Sequence, residues 1–405
     1  MARTRFHANW VLPITSPPIR DGWVDIENGL IAALGQESDA FGPVSVRDVN
    51  LGSYAILPGL VNAHTHVELS GLQGLVSQSD SMPIWARDVM QNSVTQRTDN
   101  VEAMQRAVVE MQSAGTLLVG DITNTLDSVK VFDEGAVDAV VFHEMIGFDV
   151  SVDEVSDLLA RTVRLAGERI DHRVSIRLAA HAPYSVSQEL FRGLRAALPG
   201  PHAVHLAESS EEIDFLKSGT GVWKTILQER GRWTSEWRPP GTGAVDYLNS
   251  VGWLESGTLV VHGVQLTRGE MKRLALAGVN LVTCPRSNVW TGAGEPPIDG
   301  FYESGLRVAI GTDSLASVPD LNLFNELTEV RRLAPNVSAS NILTSATLTG
   351  AAVLGRGESY GSIEPKKSGA LIGVALPSNT SEVEEQLLSG VDPTQIVWLE
   401  DLNVD

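Results

Sequence analysis

Ile56-Leu57-Pro58-Gly59-Leu60-Val61-Asn62-Ala63-His64-Thr65-His66 is an apolar run that ends on two histidines. A short apolar run bounded by turn residues suits a strand buried on both faces, as in a parallel sheet. Downstream, comparable runs recur at Thr116 to Gly120, Ala136 to His143, Arg173 to Ala180, Ala203 to Leu206, Thr258 to Val261, Asn280 to Thr283 and Leu306 to Ile310. Helical stretches alternate with them: Asn100 to Ala114, Asp153 to Ala166, Gln188 to Ala197 and Glu211 to Lys217. Four helix starts have capping-box spacing, at Ser151/Glu154, Ser185/Gln188, Ser209/Glu212 and Thr267/Glu270. Eight strand–helix units over about 300 residues predict an α/β fold, a (β/α)8 TIM barrel.

The two ends of the chain read differently. Trp10 to Ile14, Gly22 to Ile26 and Leu30 to Leu34 are short apolar runs separated by Pro17-Pro18, Asn28-Gly29 and Gly42-Pro43. Asn-Gly between two such runs is a strong hairpin signal, so a small antiparallel sheet is expected here. After Gly361 strands and turns return, and Gly369 to Leu376 is expected to join that sheet. Trp233 to Gly243, with Pro239-Pro240, is an insertion that reads as a lid or as a plain surface loop.

Composition removes several function classes. The chain has 405 residues, with 30 Lys+Arg against 50 Asp+Glu and a formal net charge of −20. Such a balance gives no general affinity for nucleic acid or an anionic membrane. No apolar run approaches the ~20 residues that span a bilayer. The first residues lack an apolar signal core, so a cytoplasmic protein is expected. The one cysteine, Cys284, excludes a disulfide framework and a thiolate zinc finger, and reads as a buried apolar residue.

Chemistry-bearing residues fall at the strand ends. His64 and His66 are two apart on an extended chain, so both rings face one side. His181 follows the fourth strand. His205 follows the fifth, with Glu208 three residues on. His262 follows the sixth, and Asp313 follows the eighth within Ile310-Gly311-Thr312-Asp313. Singly, a strand-end histidine is usually a satisfied polar residue, and an aspartate after Gly-Thr is usually a helix cap. In a parallel barrel, however, these ends converge on one mouth. Together they offer nitrogen and oxygen ligands with no thiolate, which suits a catalytic divalent metal. His7, His172 and His202 read as surface histidines. His143 and Glu144 end the third strand, where they either line the pocket or do not.

Six motifs carry a resemblance: Pro58-Gly59-Leu60-Val61-Asn62-Ala63-His64-Thr65-His66, His181-Ala182-Pro183-Tyr184-Ser185, His205-Leu206-Ala207-Glu208, Val261-His262-Gly263, Cys284-Pro285-Arg286-Ser287-Asn288 and Gly311-Thr312-Asp313-Ser314. They resemble the amidohydrolase superfamily, in its branch of purine and triazine aminohydrolases and chlorohydrolases. The resemblance implies one divalent metal, zinc first and iron or manganese next, held by His64, His66, His205 and Asp313. It implies that Glu208 shuttles a proton, His262 orients the water and His181 meets the substrate. It also implies a composite β-sandwich from residues 1–57 with 360–405, around a barrel of residues 58–359. The tail departs from the family's Gly-Lys-x-Ala-Asp-Leu pattern, reading Ser368-Gly369-Ala370-Leu371-Ile372.

Dinuclear relatives bridge two metals with a carboxylated lysine on the fourth strand. Arg173 to Ala180 contains no lysine, so a mononuclear site is expected. The implied reaction is hydrolytic deamination of an aminated purine nucleoside. Several motifs look most like aminodeoxyfutalosine deaminases, which favours 6-amino-6-deoxyfutalosine. On that reading Arg286 meets the substrate's carboxylate, with an ordinary salt bridge as its alternative, and Ser287 and Asn288 are further expected substrate contacts. Glu68 either binds a sugar or purine edge or caps a loop. The alternatives for the whole protein are deamination of adenosine, S-adenosylhomocysteine or another amino-heterocycle, triazine dechlorination, and a non-catalytic barrel scaffold. A small-molecule substrate, no nucleic-acid or membrane partner, and by family analogy a homodimer are expected.

Overall fold

A computed structural model describes residues 3–36, 38, 47–95, 100–169 and 173–403. The chain opens with β1 (Thr4–Val11), β2 (Ile19–Glu27), β3 (Leu30–Gln36), β4 (Arg47–Asn50) and β5 (Tyr54–Pro58). The β2–β3 hairpin turns on Asn28 and Gly29, at φ 54° and 76°, the left-handed pair that a two-residue hairpin loop needs. Because β2 takes one edge of β1, the returning chain adds β4 and β5 to the other edge, parallel to β1. The expected antiparallel sheet is therefore mixed. The Gly42-Pro43 break lies outside the described residues.

Gly59 passes the chain from β5 into the barrel. A Cβ there would lie 2.6 Å from Leu117 Cβ, so only glycine fits the crossing. The barrel strands are β6 (Leu60–Thr65), β7 (Thr116–Thr123), β8 (Asp138–Met145), β9 (Val174–Ala180), β10 (His202–Leu206), β11 (Thr258–His262), β12 (Asn280–Thr283) and β13 (Arg307–Ile310). They pair in chain order and parallel throughout. Val61, Leu118, Phe142, Ala179, Leu259 and Ala309 fill the barrel interior.

The seam between β13 and β6 closes through short contacts. The Asp313 amide donates to the His64 carbonyl at 3.1 Å, and the Asn62 amide nitrogen donates to Thr312 Oγ1 at 2.7 Å. Gly311 permits this approach, because a Cβ there would lie 2.7 Å from the His64 carbonyl oxygen.

After the barrel, β14 (Leu371–Ala375) pairs antiparallel with β5, and β15 (Ile396–Trp398) pairs with β14. Both chain ends thus build the second sheet, as expected. Its core is Phe6, Val24, Ile31, Ile56, Ile363 and Leu371. Among the described residues, no helix is long and apolar enough to cross a membrane.

Some local expectations shift. The capping boxes at Ser151/Glu154 and Thr267/Glu270 are present. The helix Gln188–Ala197 is capped by Ser187 rather than Ser185. His202, expected at the surface, is buried at the start of β10 against Trp253. His7 is half-buried, 3.4 Å from Asp48, and His172 lies outside the described residues.

Candidate metal centre and active site

The strand ends bring the histidines together at the barrel mouth. His64 Nε2 lies 3.4 Å from His205 Nε2, and His66 Nε2 lies 3.6 Å from Asp313 Oδ1. His64 Nε2 lies 3.9 Å from the same oxygen. Ligand-type atoms of His64, His66 and Asp313 all fall within 4.8 Å of one another, as do those of His64, His205 and His262.

Neighbours aim these atoms inward. His205 Nδ1 lies 3.0 Å from the His181 carbonyl oxygen, which leaves Nε2 for the centre. Ser287 Oγ donates to Asp313 Oδ2 at 2.5 Å and leaves Oδ1 facing His64 and His66. The backbone works in the same direction. Ala207, His262 and Asp313 have φ 52°, 73° and 63°. Left-handed conformations at non-glycine residues cost about 1–3 kcal/mol each and persist only where surrounding contacts enforce them.

Glu208 projects from the turn after β10, with Oε1 3.6 Å from His262 Nε2. The Asn288 amide nitrogen lies 2.9 Å from His262 Nδ1 and donates to it, so the imidazole carries its proton on Nε2, towards Glu208. His181 Nδ1 lies 2.5 Å from Ser185 Oγ, and its ring stands edge-on to Tyr184.

Burial dominates the electrostatics. It lowers His66 to about 3, and His181 and His205 to about 4. It lowers His64 and His262 well below the usual imidazole range, so the rings are neutral and keep lone pairs. Burial also raises Glu208, with Asp313 and Glu212 adding like charge. Glu144 and Asp313 are raised for the same first reason. Among the described residues, no lysine or arginine forms an ion pair with Glu208, Glu144 or Asp313. Neutral imidazoles and uncompensated carboxylates facing one space fit a divalent cation through nitrogen and oxygen donors.

Other expected contacts are committed elsewhere. The Arg286 guanidinium donates to both Asp320 oxygens at 3.0 and 2.8 Å and lies 3.6 Å from Glu326. In this structure the Arg286 fork is thus engaged by Asp320. Ser287 and Asn288 hold Asp313 and His262. Glu68 Oε2 accepts from Thr123 Oγ1 at 2.6 Å and from the Asn124 amide at 2.7 Å, which caps the loop after β7. His143 turns outward to Thr162 of the helix Val152–Gly167, whereas Glu144 Oε1 lies 3.5 Å from His205 Nδ1. Trp233 and Trp237 pack against Phe148, with ring centroids 5.9 and 5.4 Å away, and anchor the insertion.

Sequence reasoning gave no functional role to Glu212, Ser317 or Asn124. Glu212 had a signal, its spacing from Ser209, but its side chain serves a different end. Ser317 Oγ lies 2.9 Å from Ser287 Oγ and the Asn124 amide nitrogen donates to Glu144 Oε2 at 3.0 Å, contacts between segments distant in the chain that leave no local pattern.

Known proteins are similar to this chain. The amidohydrolase family profile matches residues 55–403. A 5-methylthioadenosine/S-adenosylhomocysteine deaminase of Halobacterium salinarum is 30% identical over 352 residues, covering 83% of this chain and 75% of that protein. The crystal structure of a zinc-bound adenosine deaminase from Xanthomonas campestris superposes with a TM-score of 0.82 at 28% identity, covering 97% of this chain and 90% of that one. The aminofutalosine deaminase of Helicobacter pylori shares the fold, with a TM-score of 0.84 at 23% identity over 97% of this chain and all of its own. With the barrel, its gathered imidazoles and a family match over most of its length, this chain belongs to the amidohydrolase family, as a carbon–nitrogen hydrolase of the purine and triazine deaminase branch.

Proposed function

We propose that this protein is a metal-dependent hydrolase that deaminates a 6-aminopurine nucleoside, giving the 6-oxo product and ammonia. The observation that carries the reading is Glu208, buried beside the imidazole cluster, 3.6 Å from His262 and, among the described residues, without a cationic partner. His64, His66, His205 and Asp313 would hold the cation, with zinc first and iron or manganese compatible with the same donors. When bound, a divalent cation lowers the pKa of water enough for attack near neutral pH.

The chain's own residues then divide the proton work. Glu208, held toward its protonated form by burial, gives its proton to a ring nitrogen as water attacks the carbon bearing the amine. His262 Nε2 orients the attacking oxygen and stabilises charge on it. Asp313 takes a proton from the water and passes it to the departing ammonia, and the proton left on the attacking oxygen returns to Glu208 as the carbonyl forms. His181, beside this cluster, meets the substrate.

Within this class, the relative from Halobacterium salinarum is named for 5-methylthioadenosine and S-adenosylhomocysteine, and the motif resemblance favours 6-amino-6-deoxyfutalosine. Because Arg286 is paired, recognition of a carboxylated nucleoside needs another contact. Ammonia release from adenosine, S-adenosylhomocysteine and 6-amino-6-deoxyfutalosine, run beside an atrazine dechlorination assay, tests the class. Silence on all three nucleosides with a full metal complement would overturn it. His64→Ala is expected to lower metal content in the purified protein, read by metal analysis; a full complement would remove His64 from the ligand set.

A further inference from the structure

Glu212 is fully buried in the first turn of the helix Ser210–Ser218, and no lysine or arginine pairs with it among the described residues. The helix is capped by Ser209, which accepts from the Glu212 amide. The capping-box geometry would send the Glu212 carboxylate back to the Ser209 amide. It turns instead to the preceding residues: Oε1 accepts from the Ala207 amide at 2.9 Å and Oε2 from the Glu208 amide at 3.0 Å. Burying a carboxylate without a cation is costly, and what this one gains is two acceptors aimed at two successive N–H groups. Glutamine at this position would supply only one.

The clamped segment needs that support. Ala207 sits at φ 52°, in the left-handed region that a residue with a Cβ rarely takes. Its carbonyl accepts from the Gln265 amide at 2.8 Å, and the Gly263 amide donates to the Leu206 carbonyl at 3.1 Å. These bonds tie the turn carrying Glu208 to the turn carrying His262, which is itself at φ 73°. The Glu212 carboxylate therefore lies at the junction that sets both sides of the Glu208–His262 pair.

We propose that Glu212 is a positioning residue for the proton-carrying step, fixing where the Glu208 carboxyl points by clamping the Ala207 and Glu208 amides. The inference rests on Glu208 acting as the proton carrier. It predicts a fault in turnover rather than in metal binding, substrate binding or folding.

The test uses the metal-loaded full chain with the best nucleoside of the panel. Glu212→Gln is expected to lower kcat about 10- to 100-fold, the scale of a small misplacement of a reacting group, with wild-type metal content and KM within about twofold. Ser209→Ala, which removes the cap of the same helix, is expected to lower Tm while leaving kcat within about twofold of wild type. Added to Glu208→Gln, Glu212→Gln is expected to cause no further loss, because it acts through that side chain. If Glu212→Gln does not fold, Glu212→Asp, too short to reach both amides, is read the same way. A kcat near wild type, a loss matched by missing metal, an equal loss in Ser209→Ala, or a full additional loss in the double variant would each overturn the inference. Near wild-type turnover in Glu208→Gln would overturn the proposed function itself, whereas an impaired Glu208→Gln beside a normal Glu212→Gln would overturn only the role of Glu212.

Discussion

Asp25 in the small sheet and Glu208 at the barrel mouth are both buried carboxylates, 0% and 4% exposed, and the chain surrounds them in opposite ways. Asp25 accepts from the guanidiniums of Arg3 and Arg5 at 2.6 to 2.9 Å, which use both of its oxygens. Glu208 has no cationic partner among the described residues and lies 3.6 Å from a neutral imidazole. The first arrangement is closed and supports the fold. The second leaves the carboxyl without a cation, so burial holds it toward its protonated form, an arrangement found where a group is to carry a proton.

The contrast breaks most decisively at Glu208. Glu208→Gln should retain metal and lose about 100- to 10,000-fold in kcat, the usual range for a general acid; near wild-type ammonia release would place it with Asp25 as a structural group. Asp25→Ala is the mirror experiment. It should cost about 3–5 kcal/mol of unfolding free energy by stranding two arginines, while the surviving folded protein keeps its kcat. A parallel loss of turnover would show that the sheet and the barrel mouth are coupled.

Acid sharpens the contrast further. His66, His181 and His205 are depressed from 6.5 to about 3, 4 and 4. At pH above 6.5 neither the folded nor the unfolded chain protonates them. Below it the unfolded chain takes up protons that the buried rings refuse, so the contribution of these rings to stability is lost as pH falls from 6.5 through about 4. The slope is on the order of 1.4 kcal/mol per pH unit for each histidine within its window. The buried carboxyls of Asp121, Glu212 and Glu326, pushed up to about 7, 7 and 8, take up protons in the folded chain over the same range and oppose this slope. Urea unfolding of chelator-treated His181→Asn beside the wild type between pH 7.5 and 4.5 therefore isolates the histidine contribution; identical slopes in the two proteins would mean that the ring charges without unfolding. The smallest effect is expected at Arg286. Like Asp25's arginines it is already paired, so Arg286→Ala should shift KM for 6-amino-6-deoxyfutalosine and for adenosine by the same factor, within about twofold. A selective rise for the carboxylated nucleoside would return Arg286 to the substrate.

The barrel was legible because strand-like runs and amphipathic stretches alternate from Ile56 to Ile310, and the site was legible because ligand-type residues end those runs. His64 and His66 followed from the two-residue period of a strand. Roles that depend on what lies across space were not legible. Cys284-Pro285-Arg286-Ser287-Asn288 stood beside the chemistry in sequence and suggested substrate contacts. Folding instead sends Arg286 to Asp320, Ser287 to Asp313 and Asn288 to His262. Glu212 matched a local capping pattern, and the strained Ala207 turn redirected it. The mixed sheet escaped for a similar reason: the hairpin was local, but the parallel pairing of β4 and β5 with β1 is not.

The closing seam has a consequence for how the protein must assemble. Asp313 and His64 share a backbone hydrogen bond across that seam, between segments about 250 positions apart in the chain. No fragment lacking either end of the cylinder can present the full set of proposed ligands, however well its remaining units fold. Truncated or split versions should rejoin metal uptake only when the two edges zip together, which makes ion capture a direct reporter of ring completion.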